Sequence, residues 1–221
     1  MSKEEHYRNR LSRQRSQSIT GTGDTTTRGS DEQKANAVVD CGWGRLLFAH
    51  TFHDNNALAS ELLKEQPGKR DIAFYVHDPH VLLALEPHNL FLDPSHTYRL
   101  WLDRYKVSSL RPRGFVVRLL NSESDARAIR RIYLSRKMIP ASIDFMWSQR
   151  TSRVIHYFVA SDTETDDVLG VATAVDHVAA FNDPEMGCSL WALAVDPQAR
   201  QPGLGQALVR HIIEYFIARG R

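Results

Sequence analysis

The chain has 221 residues, 42% of them hydrophobic and 24% charged, enough to bury a core in one large or two small domains. A net charge of +2 argues against a nucleic-acid binder driven by bulk charge, and no apolar run is long enough to span a bilayer. Two cysteines, Cys41 and Cys188, cannot build a disulfide framework. No apolar h-region follows the charged N-terminus, so the default compartment is a reducing cytoplasm.

Residues 1–37 are polar and almost free of large aliphatics, so a solvated, disordered tail is expected. Arg8, Arg10, Arg13 and Arg15 suggest a basic arm, but Glu4 and Glu5 offset them. Residues 38–110 read as a small α/β region. A strand is expected within Trp43–His50, then a helix over Ala57–Glu65 capped by Asn55 or Asn56, then a buried strand over Asp71–Val76. Val81–Leu85 and Leu90–Leu92 are short apolar runs fenced by prolines. His50, His53, His77, His80, His88 and His96 cluster in this region. The turn dipeptides Asp78-Pro79, Glu86-Pro87 and Asp93-Pro94 favour ordinary turn histidines over a metal site, because no Cys or spaced His completes a four-ligand set.

Arg111-Pro112-Arg113-Gly114 reads as a linker before a domain over 115–221. Phe115–Leu120 is a strand. Asn121 or Ser122 starts a helix with Glu123 and Asp125 in its first turn, where the dipole favours acids, and the helix runs to about Lys137. A second short helix is expected over Ser142–Arg150, then a hairpin of Val154–Ala160 and Val168–Val175, then a polar loop. Leu190–Val195 is an apolar run read as a strand buried on both faces. Asp196–Gly205 is punctuated by Pro197, Pro202, Gly203 and Gly205. From Leu204, apolar residues recur at helical spacing: Leu204, Leu208, Ile212, Phe216.

A strand feeding a glycine turn that opens a helix is an anion site: the first-turn amides lack partners, and the dipole adds partial positive charge. A nucleotide P-loop fails, because Gly205 is followed by Gln206 and Ala207 rather than Lys and Ser/Thr. A dinucleotide fingerprint fails, because Leu208 stands at the third glycine position. Arg200-Gln201-Pro202-Gly203-Leu204-Gly205 resembles the Arg/Gln-x-x-Gly-x-Gly/Ala signature of the GNAT N-acetyltransferase superfamily, which binds the pyrophosphate of acetyl-coenzyme A. The element order over Phe115–Arg221 is also similar to the first two-thirds of that fold. The expected fold class is therefore α/β (α+β), a GNAT fold incomplete at its C-terminus behind a small α/β region.

Four further segments narrow the resemblance: Cys41-Gly-Trp-Gly-Arg-Leu-Leu-Phe, Phe91-Leu-Asp-Pro-Ser-His-Thr-Tyr-Arg-Leu, Asp176-His-Val-Ala-Ala-Phe-Asn-Asp-Pro-Glu185, and Leu190-Trp-Ala-Leu-Ala-Val-Asp-Pro-Gln-Ala. They look like the N-terminal part of bacterial N-acetylglutaminylglutamine synthetases, where a GNAT module precedes an ATP-grasp ligase and the product is an osmoprotectant. The chain stops at Arg221, where that fold would continue, so a truncated domain is expected.

The resemblance implies acetyl transfer from acetyl-CoA to an amine. It places the pantetheine arm against backbone groups of Leu193, Ala194 and Val195. It places the pyrophosphate on Gln201, Gly203, Leu204, Gly205 and Gln206, with Arg200 beside it. Glu185 is the first candidate for the general base, followed by Asp176 and His177. Trp191 and Trp147 are candidate pocket walls. An acyl-cysteine on Cys188 is set aside for want of a paired His. The implied partners are a small-molecule amine and an ATP-grasp ligase, with no metal, nucleic acid or membrane. A non-catalytic CoA-binding module is the alternative.

Overall fold

The computed structural model describes residues 32–95, 97–107 and 112–221. Residues 1–31 of the expected tail, His96 and Arg111 of the expected linker lie outside the described residues. The elements below all belong to one compact unit, Gln33–Arg221.

Strands β1 (Val38–Asp40), β2 (Arg45–Phe48) and β3 (Ile72–Phe74) form a small sheet, with β1 antiparallel and β3 parallel to β2. A parallel pair needs a crossover, supplied here by helix α1 (Asn55–Leu62). Asp54, not Asn55 or Asn56, caps that helix, because its side chain accepts from the Ala57 amide at 2.8 Å. Gly44 is required by close approach: a Cβ there would lie 1.8 Å from the Arg70 carbonyl oxygen. The run Val81–Leu85 proves to be part of a helix, α2 (Pro79–Leu85), started by Pro79 at its first turn. Leu90–Leu92 carries no regular structure.

The second sheet is an antiparallel meander, β4 (Phe115–Leu119), β5 (Ile155–Asp162), β6 (Val168–Asp176) and β7 (Cys188–Val195), in that order. Between β4 and β5 lie α3 (Glu123–Ser135) and α4 (Ile143–Ser148). Ser122 and Asp125 cap α3 reciprocally, the Ser122 hydroxyl accepting from the Asp125 amide and the Asp125 carboxylate from the Ser122 amide. The expected polar loop after β6 contains a short helix, α5 (His177–Phe181), capped by Asp176. Helix α6 (Leu204–Ile217) buries Leu204, Leu208, Ile212 and Phe216, the stripe read from the sequence.

Each face of the meander has its own cover. Helix α6 packs on Phe158, Ala160, Ala172 and Ala174. The opposite face packs against Ile129, Ile132 and Tyr133 of α3, and the same cluster takes in Val39, Trp43, Leu46 and Phe48 of the small sheet. The regions 38–110 and 115–221 therefore meet across a shared core.

Strand β7 corrects one expectation. It is not buried on both faces, because among the described residues β6 is its sole neighbour, and Leu190 and Leu193 are 38% and 37% exposed. An apolar run specifies a strand but not its position in a sheet.

Candidate active site

Strand β7 carries a bulge. Val171 pairs with Ala194 and Thr173 with Trp191, so Ala192 and Leu193 together stand opposite Ala172. Ala192 takes φ +50°, a strained value for a residue with a Cβ. The register gives neither bulged residue a partner, which leaves backbone groups for something other than the ladder. Further along, the Val195 carbonyl accepts from Arg136 Nε at 2.7 Å.

The turn after β7 is pinned at its base. The Asp196 amide donates to the Leu169 carbonyl at 2.8 Å, and the Asp196 carboxylate accepts from the Gln198 amide and pairs with Arg131 at 2.5 Å. Burial would raise the Asp196 pKa, but these contacts outweigh it and hold the carboxyl below its usual range. Gln201 Nε2 donates to Asp162 at 2.7 Å, and its Oε1 accepts from the Arg200 amide.

At Gly203 the chain takes φ +83° and enters α6 with no side chain capping the helix. Only glycine takes that conformation freely, and a Cβ there would meet nothing within 4 Å. The first-turn amides of Leu204, Gly205 and Gln206 are thus an uncapped helix start beside open space. Arg200 is exposed, with no ion pair among the described residues, and lines an open cleft with Gln201, Gln198, Asp196 and Arg131. Open space, unpaired donors and a free guanidinium suit a diphosphate.

The other end of β7 holds a second group of side chains. Glu185 pairs with Arg99 at 2.6 Å, both partly exposed. Asp176 caps α5 and accepts from Arg221, with Nη2 at 2.9 Å. His177 and Asp183 are buried, at 3% and 7% exposure. His177 Nε2 meets Ser189 Oγ at 2.8 Å, and Nδ1 lies 3.5 Å from Asp183 Oδ2. Burial would push the Asp183 carboxyl up, but His177 and the amides of Glu185 and Gly187 hold it below its ordinary value.

Trp191 packs on Phe74 of the small sheet and donates from Nε1 to Ser189 at 2.7 Å. Trp147 stacks under Arg150. Burial pushes the Cys188 thiol up to about 11, which leaves it no thiolate for nucleophilic work at neutral pH. Among the described residues, no group of three or more His, Cys, Asp or Glu is placed to hold a metal ion, and no helix is long and apolar enough to cross a membrane.

The structure sets Leu193, Ala194 and Val195 on edge strand β7, Arg200, Gln201 and Gly203 on the following turn, and Leu204, Gly205 and Gln206 in the first turn of α6. Glu185, Asp176 and His177 gather at the far end of the strand. Sequence reasoning missed Ser189, Asp183 and Arg99. Asp183 sits in an unremarkable Asp-Pro turn, and Arg99 lies 86 positions from Glu185, so no local pattern marks them.

A bulged edge strand thus leads into an uncapped, glycine-started helix. Residues 124–221 match the model of the Acetyltransferase (GNAT) family. The family transfers an acetyl group from acetyl-CoA to amine substrates. Among solved structures, the chain is similar to a Trypanosoma brucei acetyltransferase at 20% identity, covering 48% of this chain and 77% of that one, with a TM-score of 0.39. It is also similar to a GNAT family acetyltransferase of Staphylococcus aureus at 11% identity, covering 48% and 81%, with a TM-score of 0.38. An aminoglycoside acetyltransferase from an uncultured soil metagenomic sample, solved with sisomicin, matches at 16% identity, covering 48% and 72%, with a TM-score of 0.39. No curated protein matches.

Proposed function

We propose that this chain acetylates the amino group of a small amino acid or dipeptide in the cytoplasm, as in the making of N-acetylglutaminylglutamine, next to an ATP-grasp ligase. The observation that carries the acetyl-CoA part is the helix start at Gly203: uncapped amides, open space and the unpaired Arg200 on one side of a cleft. The acceptor part rests on the sequence resemblance over residues 40–221.

In this reading, the amides of Gln201, Gly203, Leu204, Gly205 and Gln206 with the Arg200 guanidinium hold the diphosphate. Leu193, Ala194 and Val195 pair with the pantetheine amides, and Arg136 moves off the Val195 carbonyl to admit them. Bound acetyl-CoA supplies an activated thioester. An amide left out of the ladder at the bulge polarises its carbonyl. Glu185, the base that the resemblance suggests, is tied to Arg99 at 2.6 Å and would be free to act only with Arg99 drawn away.

The second reading is a non-catalytic CoA-binding module, favoured by the engagement of Glu185 with Arg99 and of the Val195 carbonyl with Arg136. One assay separates the two: thiol release from acetyl-CoA with L-glutamine or L-glutaminyl-L-glutamine, beside calorimetry for acetyl-CoA. Binding with turnover supports the enzyme, binding without turnover supports the module, and neither removes the proposal.

A further inference from the structure

We infer that Asp183, His177 and Ser189 form a proton relay that deprotonates the acceptor amine, with Ser189 as the group that touches it. This rests on the acetyl-transfer reading and replaces Glu185 as the base.

The hydrogen bonds fix the direction of the relay. Trp191 Nε1–H donates to Ser189 Oγ at 2.7 Å, which occupies a lone pair of the hydroxyl. Asp183 Oδ2, 3.5 Å from His177 Nδ1, can only accept, so the neutral ring carries its hydrogen on Nδ1 and leaves Nε2 to accept the serine's own hydrogen at 2.8 Å. Asp183 is held in place by the amides of Gly187 at 3.0 Å and Glu185 at 3.1 Å. The imidazole is wedged between Phe48 and Phe181, with ring centroids at 4.8 and 5.6 Å.

His177 and Asp183 are buried while Ser189 is half-buried, so a proton from a bound amine reaches the imidazole through the hydroxyl. Ser189 and Trp191 lie two residues apart on one face of β7. They are four and two positions before Leu193, the bulge residue that the acetyl group would approach. The other acceptor-side candidates are committed elsewhere, Glu185 to Arg99 and Asp176 to Arg221.

The step balances. The acceptor ammonium gives one proton to Ser189 Oγ, directly or through one water, as Ser189 passes its own to His177 Nε2. The imidazolium is then held by Asp183. The free amine attacks the acetyl carbon, the C–N bond forms and the C–S bond breaks. The departing sulfur takes the second amine proton, and His177 returns its proton to solvent.

The test uses the full chain, acetyl-CoA and L-glutaminyl-L-glutamine. An α-amino group has a pKa near ~8, so only about a tenth is free at pH 7 and nearly all is free at pH 9.5. His177→Gln and Ser189→Ala are expected to lower kcat/KM about tenfold or more at pH 7 and to approach wild type at pH 9.5. Acetyl-CoA affinity stays unchanged, and Ser189→Thr restores the rate. The charged groups around the ring (Asp183, with His50, Glu185 and Arg99 beyond it) remain in every variant. An equal deficit at both pH values, or none at pH 7, overturns the relay.

Long-range proton–nitrogen NMR of the His177 ring is independent of turnover. A hydrogen on Nδ1 supports the relay, and a hydrogen on Nε2 overturns it. If the wild type neither binds acetyl-CoA nor turns over, the acetyl-transfer reading fails and the ring spectrum alone decides the hydrogen-bond direction.

Discussion

Placing a carboxylate at Gly203 should abolish tight acetyl-CoA binding without unfolding the domain. The site has open space: a Cβ added at Gly203 meets no protein atom within 4 Å. It does meet a φ of +83°, which costs any residue with a Cβ about 1–2 kcal/mol. Gly203→Asn controls for that strain, since asparagine tolerates the left-handed region and carries no charge. At about 5 Å, with an effective dielectric between ~40 and ~80, a new negative charge opposes each diphosphate charge by roughly 0.8–1.7 kcal/mol. Two such charges give about 2–3 kcal/mol, or ~30- to 150-fold in Kd. Calorimetry with acetyl-CoA should show that ratio between Gly203→Glu and Gly203→Asn, and it should shrink at 0.5 M salt as screening shortens the reach of the charge. Affinities within threefold of each other at low salt would refute the placement of the diphosphate.

Two more outcomes follow from buried groups. Arg118 pairs with the buried Asp125 at 2.7 Å, so Arg118→Met should cost about 2–3 kcal/mol in urea denaturation. That is less than for a bare buried charge, because the amides of Asn121 and Ser122 still serve the carboxylate. Burial raises the Asp125 pKa, but Arg118 and these amides outweigh it, so the folded carboxyl lies below its ordinary value. A depressed folded pKa gives stability that is present above about pH 4 and lost as pH falls through the folded value, so the gap between wild type and variant should narrow in acid. Burial also raises the thiols, Cys188 to about 11 and Cys41 to about 12. A disulfide reagent at pH 8 should therefore label neither in the folded chain and both in urea; rapid native labelling would contradict the burial of these thiols.

Some of this protein is written locally. The stripe Leu204, Leu208, Ile212, Phe216 repeats every four residues, and helix α6 buries those four side chains. The Ser122–Asp125 cap, the hairpin of β5 and β6, and the glycine turn before α6 are likewise set by neighbours a few positions apart. Short-range hydrogen bonding and backbone preference decide such features, so they are readable from the sequence.

Other features depend on which distant segments meet. That β7 lies at a sheet edge rather than between strands follows from the whole sheet order. Pro79–Leu85 is a helix because it packs in a cluster with Leu47, Leu58 and Leu90, though its apolar run alone is ambiguous. Asp183 meets His177 across a turn, Ser189 meets His177 across the β6–β7 connection, and Arg99 reaches Glu185 from the other region. The amino-acid order thus determined the glycine turn and the uncapped start of α6, whose amides belong to neighbouring residues. The tertiary structure alone decided which acid, imidazole and hydroxyl meet beside the start of β7, because burial and long-range packing bring those groups together.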